Sequence, residues 1–191
     1  EHHERLLLPN YEGWDFVGFP FIPLQRLARG RWMHICKSTR QPTHITKMTS
    51  KDLTKEAPAS PRIRTGGYAL LARLADKGRA EIAGHGGEYH YDCPLDNYLF
   101  TFKGITGADV KKVIASGASN TEIASWLDKN GLSKSPEEVQ AWYDGVEAAR
   151  PFDNPDMKEW FVGVCAEASI DPATSTLFDY LEADDRISFA K

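Results

Sequence analysis

The sequence predicts an all-α fold, a compact orthogonal bundle of about six or seven short helices, and three observations carry that expectation. Apolar residues recur at i, i+3, i+4 and i+7 in most windows beyond residue 65. Start signals stand ahead of those windows: Pro at the first helical position, or Ser/Thr with Glu three residues on. Glycines at 84, 104, 117 and 131 close them. Sustained apolar–polar alternation is missing, so no sheet is expected; one short segment near 88–91 reads as extended.

Residues 1–47 carry neither period, and prolines at 9, 20, 23 and 42 interrupt their apolar runs. Lys47-Met48-Thr49-Ser50 then reads as an ordinary protein start. The expectation is that 1–47 is a non-native leader or unstructured arm and that 48–191 forms a single all-helical domain. An arm packing its aromatics on that domain is the alternative. Pro58 and Pro61 impose an extended connector over 52–61. Thr65 is expected to cap a helix at 66–83, with Leu71, Leu74, Ala75, Gly78 and Ile82 on one face and Arg73 and Lys77 on a solvated one. Cys93-Pro94 opens a helix to about residue 102; Thr106 and Asp109 open the next, with Val110, Val113 and Ile114 inward. Ser119 with Glu122, and Ser135 with Glu138, are capping boxes. Their helices turn Ile123, Trp126 and Leu127, then Val139, Trp142, Tyr143 and Val146, inward. Asn154-Pro155 and Asp171-Pro172 open the last two, which present Met157, Trp160, Phe161 and Val164, then Leu177, Tyr180 and Leu181.

The composition, 41% apolar and 26% charged, is that of a globular domain and not of a disordered chain. The longest apolar-rich run, 16–24, holds two prolines and is about half of a bilayer span, so no membrane helix is expected. Three widely spaced cysteines, Cys36, Cys93 and Cys165, argue for free thiols and a cytoplasmic setting. Within 135–191, four basic residues face thirteen acidic ones, which disfavours a polyanion. The segments 106–116 and 119–130 have helix-turn-helix proportions, yet Glu122 and Asp128 outweigh Lys129 there and no nucleic-acid partner is expected.

Chemistry concentrates between the first two helices, in Gly84-His85-Gly86-Gly87-Glu88-Tyr89-His90-Tyr91-Asp92-Cys93-Pro94-Leu95-Asp96. Pro94 places Cys93 at a helix N-terminus, where unpaired N–H groups and the positive dipole end favour a thiolate, against the nearby negative charges of Asp92 and Asp96. His90 and Glu88 can serve as acid and base, so Cys93, His90 and Glu88 are the catalytic candidates. The same acids equally suit a cap and first turn. His90-x-x-Cys93 has a spacing that two ligands of one ion can share, but zinc takes three or four and no matching pair stands elsewhere; no metal and no cofactor are expected. A second candidate site is the entrance of the first helix, where Arg62, Arg64, Gly66, Gly67 and Tyr68 offer fixed charge and free amides to a small anion. The competing account has Arg62 and Arg64 pair with the acidic C-terminal third.

Asp52-Leu53-Thr54-Lys55-x-x-Pro58-x-Ser60-Pro61-Arg62, Gly67-Tyr68, Gly87-Glu88-Tyr89-His90 and Cys93-Pro94-Leu95-Asp96 together resemble a family of bacterial proteins known only as a domain of unknown function, over about residues 51–191. The resemblance implies no activity and no catalytic residues. Where that family tends to read Pro-Arg-Ser-Pro-Arg, Ala59 replaces the first Arg, which removes a charge from the candidate anion site. The function expected is a binding module for a partner protein or small anionic ligand, with 62–68 and 84–96 forming one cleft. The alternative is an enzyme using Cys93 or His90 as nucleophile or acid/base.

Overall fold

The computed structural model describes residues 50–190. Seven α-helices run through them: α1 (Leu71–Ala83), α2 (Pro94–Lys103), α3 (Gly107–Ala115), α4 (Asn120–Asn130), α5 (Pro136–Glu147), α6 (Pro155–Glu167) and α7 (Leu177–Ser188), with a 3-10 turn at Pro151–Asp153. The expected leader at 1–47 lies outside the described residues. Among the described residues no strand forms; 88–91 is turn and irregular chain, and an isolated bridge joins Thr65 to Tyr68.

Most boundaries follow the start signals. Ser119 and Ser135 form full capping boxes with Glu122 and Glu138, Thr106 accepts from the Asp109 amide and Asn154 from the Asp156 amide. Two starts differ from the sequence expectation. Thr65 does not cap α1. Thr65 and Tyr68 instead exchange two backbone hydrogen bonds of 3.1 Å around Gly66 and Gly67, whose φ of 60° and 88° are incompatible with a helix, and α1 begins only after Leu70. The last helix starts at Leu177, not near Asp171, because Thr176 and Asp179 make a capping box while Asp171 closes a turn with Ser175.

α1 is the axis of the bundle. Leu71 to Ala75 and Lys77 to Ala80 are all buried, so it has no solvated face over its first ten residues. One cluster packs Leu71, Leu74 and Ala75 with Tyr68, Tyr91, Phe100, Val110, Ile114, Ile123 and Leu127, joining α1 to α2, α3 and α4. A second packs Ala69, Leu70 and Leu95 with Tyr143, Val146, Leu177 and Phe178, joining the entrance of α1 to α2, α5 and α7. Phe161, Val164 and Cys165 of α6 make a third cluster, against which Tyr180 of α7 packs. Gly78 sits where α1 and α3 meet: a Cβ there would come 2.7 Å from Ile114 Cδ1. Among the described residues no helix is long and apolar enough to cross a membrane.

Candidate functional site

Because α1 is enclosed, its cations are enclosed too. Arg73 and Lys77, expected on a solvated face, are 4% and 3% exposed. A charge so placed must be paired, and each has its own carboxylate. Arg73 makes two bonds to Asp185 of α7, 2.6 and 3.0 Å, and Tyr89 donates to the same carboxylate at 2.7 Å. Burial alone pushes the Arg73 guanidinium down; Asp185 outweighs it and holds the group above its ordinary value. Arg79 bonds the Ala118 carbonyl and Asn120 and lies 3.5 Å from Asp76; there burial prevails and lowers the guanidinium.

Lys77 is the pair that touches the chemically dense segment. Its Nζ lies 2.8 Å from Asp96 Oδ1 and donates to Cys93 Sγ at 3.1 Å. Asp96 is 1% exposed, and its other oxygen accepts the Asp92 amide at 3.0 Å. Asp92 has φ 60°, and its carboxylate lies against Gly107, where a Cβ would come 2.4 Å from Asp92 Cγ. That turn fixes where the chain enters α2. Cys93 is the N-cap residue of α2 and half-buried, and its side chain makes no cap hydrogen bond. The sulfur thus faces an ammonium at a helix N-terminus, on the rim of a buried ion pair. Cys165, the other described cysteine, is wholly buried in the α6 cluster, and burial, with Asp171 adding, pushes its thiol up to about 11.

The remaining candidates lie elsewhere. His90 and Glu88 are exposed, and among the described residues no hydrogen bond joins His90 to Cys93. Arg62 reaches Glu147 at 3.1 Å, Asp179 at 2.8 Å and Glu182 at 2.5 Å, so one cation already serves three carboxylates of α5 and α7. Arg64 lies 3.2 Å from the centroid of the Tyr143 ring and donates to Gln140 at 2.8 Å. Tyr68 is core, its hydroxyl bonded to Asp128 at 2.5 Å. Gly66 and Gly67 approach Ala124 and Val139, and their amides belong to a turn and not to a helix end. The side-chain hydrogen-bond partners of Arg62, Arg64 and Tyr68 named above are on α4, α5 and α7, whereas those of Tyr91, Asp92 and Cys93 are on α1, α2 and α3. Among the described residues no group of three or more His, Cys, Asp or Glu side chains converges on a metal position.

Lys77 was the residue that periodicity missed. Arg73, Lys77 and Glu81 fall at i, i+4 and i+8 on one stripe of α1, so the periodicity carried no sign that the first two are enclosed.

Fold and site together define an all-α domain with a half-buried thiol held against a buried lysine–aspartate pair. The chain belongs to the family described as a domain of unknown function (DUF5069), which it matches over residues 55–187. No curated protein matches it.

Proposed function

We propose that the domain is an enzyme acting through Cys93 as a nucleophilic thiol. The observation that carries this reading is the 3.1 Å contact from Lys77 Nζ to Cys93 Sγ at the N-cap of α2, on a cysteine that is only half-buried. An ammonium and the free amides of a helix end both stabilise negative charge on a sulfur as it attacks an electrophile. Asp96 keeps that ammonium in place. His90 and Glu88, exposed on the chain leading to Cys93, are the groups that would exchange a proton with solvent or a leaving group. The free thiols of Cys93 and Cys165 support a reducing, cytoplasmic setting. The test is alkylation of the full chain by iodoacetamide at neutral pH, read per cysteine by mass spectrometry. Cys93 should react faster than N-acetylcysteine despite being half-buried, and Lys77→Arg, which keeps the charge, should retain most of that advantage. A rate at or below that of N-acetylcysteine sinks the reading.

The second reading, a binding module for a small anion, rests on Arg64. Its side chain is 39% exposed, and the carboxylate of Asp144 lies 4.0 Å away. Arg62, with three carboxylates around it, supports that reading less.

A further inference from the structure

We propose that Lys77 and Cys93 are a covalent modification site, closed by a peroxide-class oxidant into a lysine–cysteine sulfenamide. The proposal shares Cys93 with the enzymatic reading but rests on the contact between two nucleophiles and not on turnover. Lys77 Nζ and Cys93 Sγ are 3.1 Å apart, and the lysine cannot turn to solvent because its side chain is 4% exposed and its tip is bonded to Asp96. Cys93 is half-buried whereas Lys77 is enclosed, so of the two residues the cysteine is the one an oxidant can reach from water.

The chemistry balances with one peroxide. The sulfur attacks the O–O bond; an S–O bond forms, the S–H proton leaves with the second oxygen as water, and sulfur has lost two electrons to peroxide. Lys77 gives one ammonium proton to Asp96, whose carboxylate already accepts its hydrogen bond. The freed nitrogen attacks sulfur, the S–O bond breaks, and hydroxide departs with a second amine proton as water. Sulfenic acids condense with a neighbouring backbone nitrogen in this way, and here the nitrogen is a side chain already in contact, which makes capture intramolecular. The linked pair shields Cys93 from irreversible oxidation, and two equivalents of a thiol reductant restore both residues.

The experiment treats the full chain with hydrogen peroxide, digests it with trypsin and reads the peptides by mass spectrometry. The expected product joins the peptides of Lys77 and Cys93, lacks two hydrogens, is not cleaved after Lys77 and disappears with dithiothreitol. It persists in Cys165→Ser. In Lys77→Arg, which preserves the pair with Asp96, the crosslink is lost and a dimedone-reactive sulfenic acid takes its place. Cys93 found as sulfinic acid beside a free Lys77, a disulfide to Cys36 or Cys165, or unmodified Cys93 overturns the proposal. Alkylation of the reduced protein decides the enzymatic reading separately: slow alkylation with a crosslink removes that reading and keeps this one, and fast alkylation without a crosslink does the reverse.

Discussion

Removing the charges of Lys77 and Asp96, singly and together, tests the structure at the point on which the site depends. In Asp96→Asn the ammonium at 3% exposure loses the carboxylate 2.8 Å away. The amide cannot replace it on both sides, because turning its oxygen toward the Asp92 amide turns its NH2 toward Lys77. An uncompensated buried charge costs about 3–5 kcal/mol. Lys77→Met leaves Asp96 with the Asp92 amide as partner, so its cost belongs at the lower end of about 3–5 kcal/mol. Lys77→Met with Asp96→Leu leaves no buried charge; what remains is the Asp92 amide without its acceptor, about 1–3 kcal/mol and toward the low end because Asp92 is exposed. The double variant should therefore be more stable than either single one, a coupling of several kcal/mol. Urea unfolding of all four proteins, with unchanged slope as the control for two-state behaviour, measures it. Since domains of this kind have only about 5–15 kcal/mol in total, either single change is expected to be visible as a large midpoint shift. Single variants within about 1 kcal/mol of the parent, or a double variant equal to their sum, would show that the pair is not enclosed as described.

Three further outcomes are expected. In Gly78→Ala the new methyl meets Ile114 Cδ1 at 2.7 Å and two Tyr91 ring carbons at 3.1 and 3.2 Å, and that ring is held by its hydroxyl bond to the Gly107 carbonyl. Overpacking of about 1–3 kcal/mol should exceed the helix-propensity gain of up to about 1 kcal/mol, so a raised melting temperature would refute the account. Phosphate should raise the melting temperature if Arg64 binds anions, and Arg64→Ala should abolish the rise; an unchanged response rules out that site. Acid should destabilise the fold through Asp179: burial by itself pushes that carboxyl up, but the Thr176 amide and hydroxyl and the Arg62 guanidinium outweigh it and hold it low. A carboxyl held low when folded contributes stability above its unfolded value near 4, lost as pH falls through the folded value. Melting between pH 7 and 3 should show that loss, and Arg62→Met should make it shallower; an equally steep loss in the variant counts against the Arg62 contribution.

The helices were legible because their signals are local. Ser119 with Glu122 and Ser135 with Glu138 state both a start and its hydrogen bonds within four residues, and both boxes form. The failures occur where a distant partner decides. Thr65 satisfies every local rule for a cap, but Gly66 fits against Ala124, nearly sixty residues away, in a conformation only glycine adopts readily, and the chain turns there. Arg73 and Lys77 at i and i+4 are the usual mark of a wet face. Their burial follows from α1 being covered by α2, α3, α4 and α7 at once, and a periodicity argument that allots each helix one apolar face has no place for a central helix whose cations carry their own counter-ions.

The same enclosure bears on what the domain meets in solution. Arg73, Lys77, Arg79 and Lys103 are buried, whereas Asp96 and Asp185 are the buried acids among the described residues. Lys103 shows how such a cation is held: it sits 5.3 Å from the Tyr68 ring centroid and 3.8 Å from Asp128, and burial lowers its ammonium. Taking four cations but only two acids out of water makes the exposed surface more negative than the net charge of the described chain by two charges. Arg62 and Arg64, the cations expected to recruit an anion, stand beside carboxylates of α5 and α7. Long-range attraction at that face is therefore toward cations, and its reach is a Debye length of about 8 Å at physiological salt. An anionic ligand at Arg64 would have to gain its affinity from short contacts, the guanidinium plane and its remaining donors, against the field of its surroundings. An uncharged electrophile at Cys93 faces no such opposition, since the charge it meets there is the Lys77 ammonium balanced by Asp96.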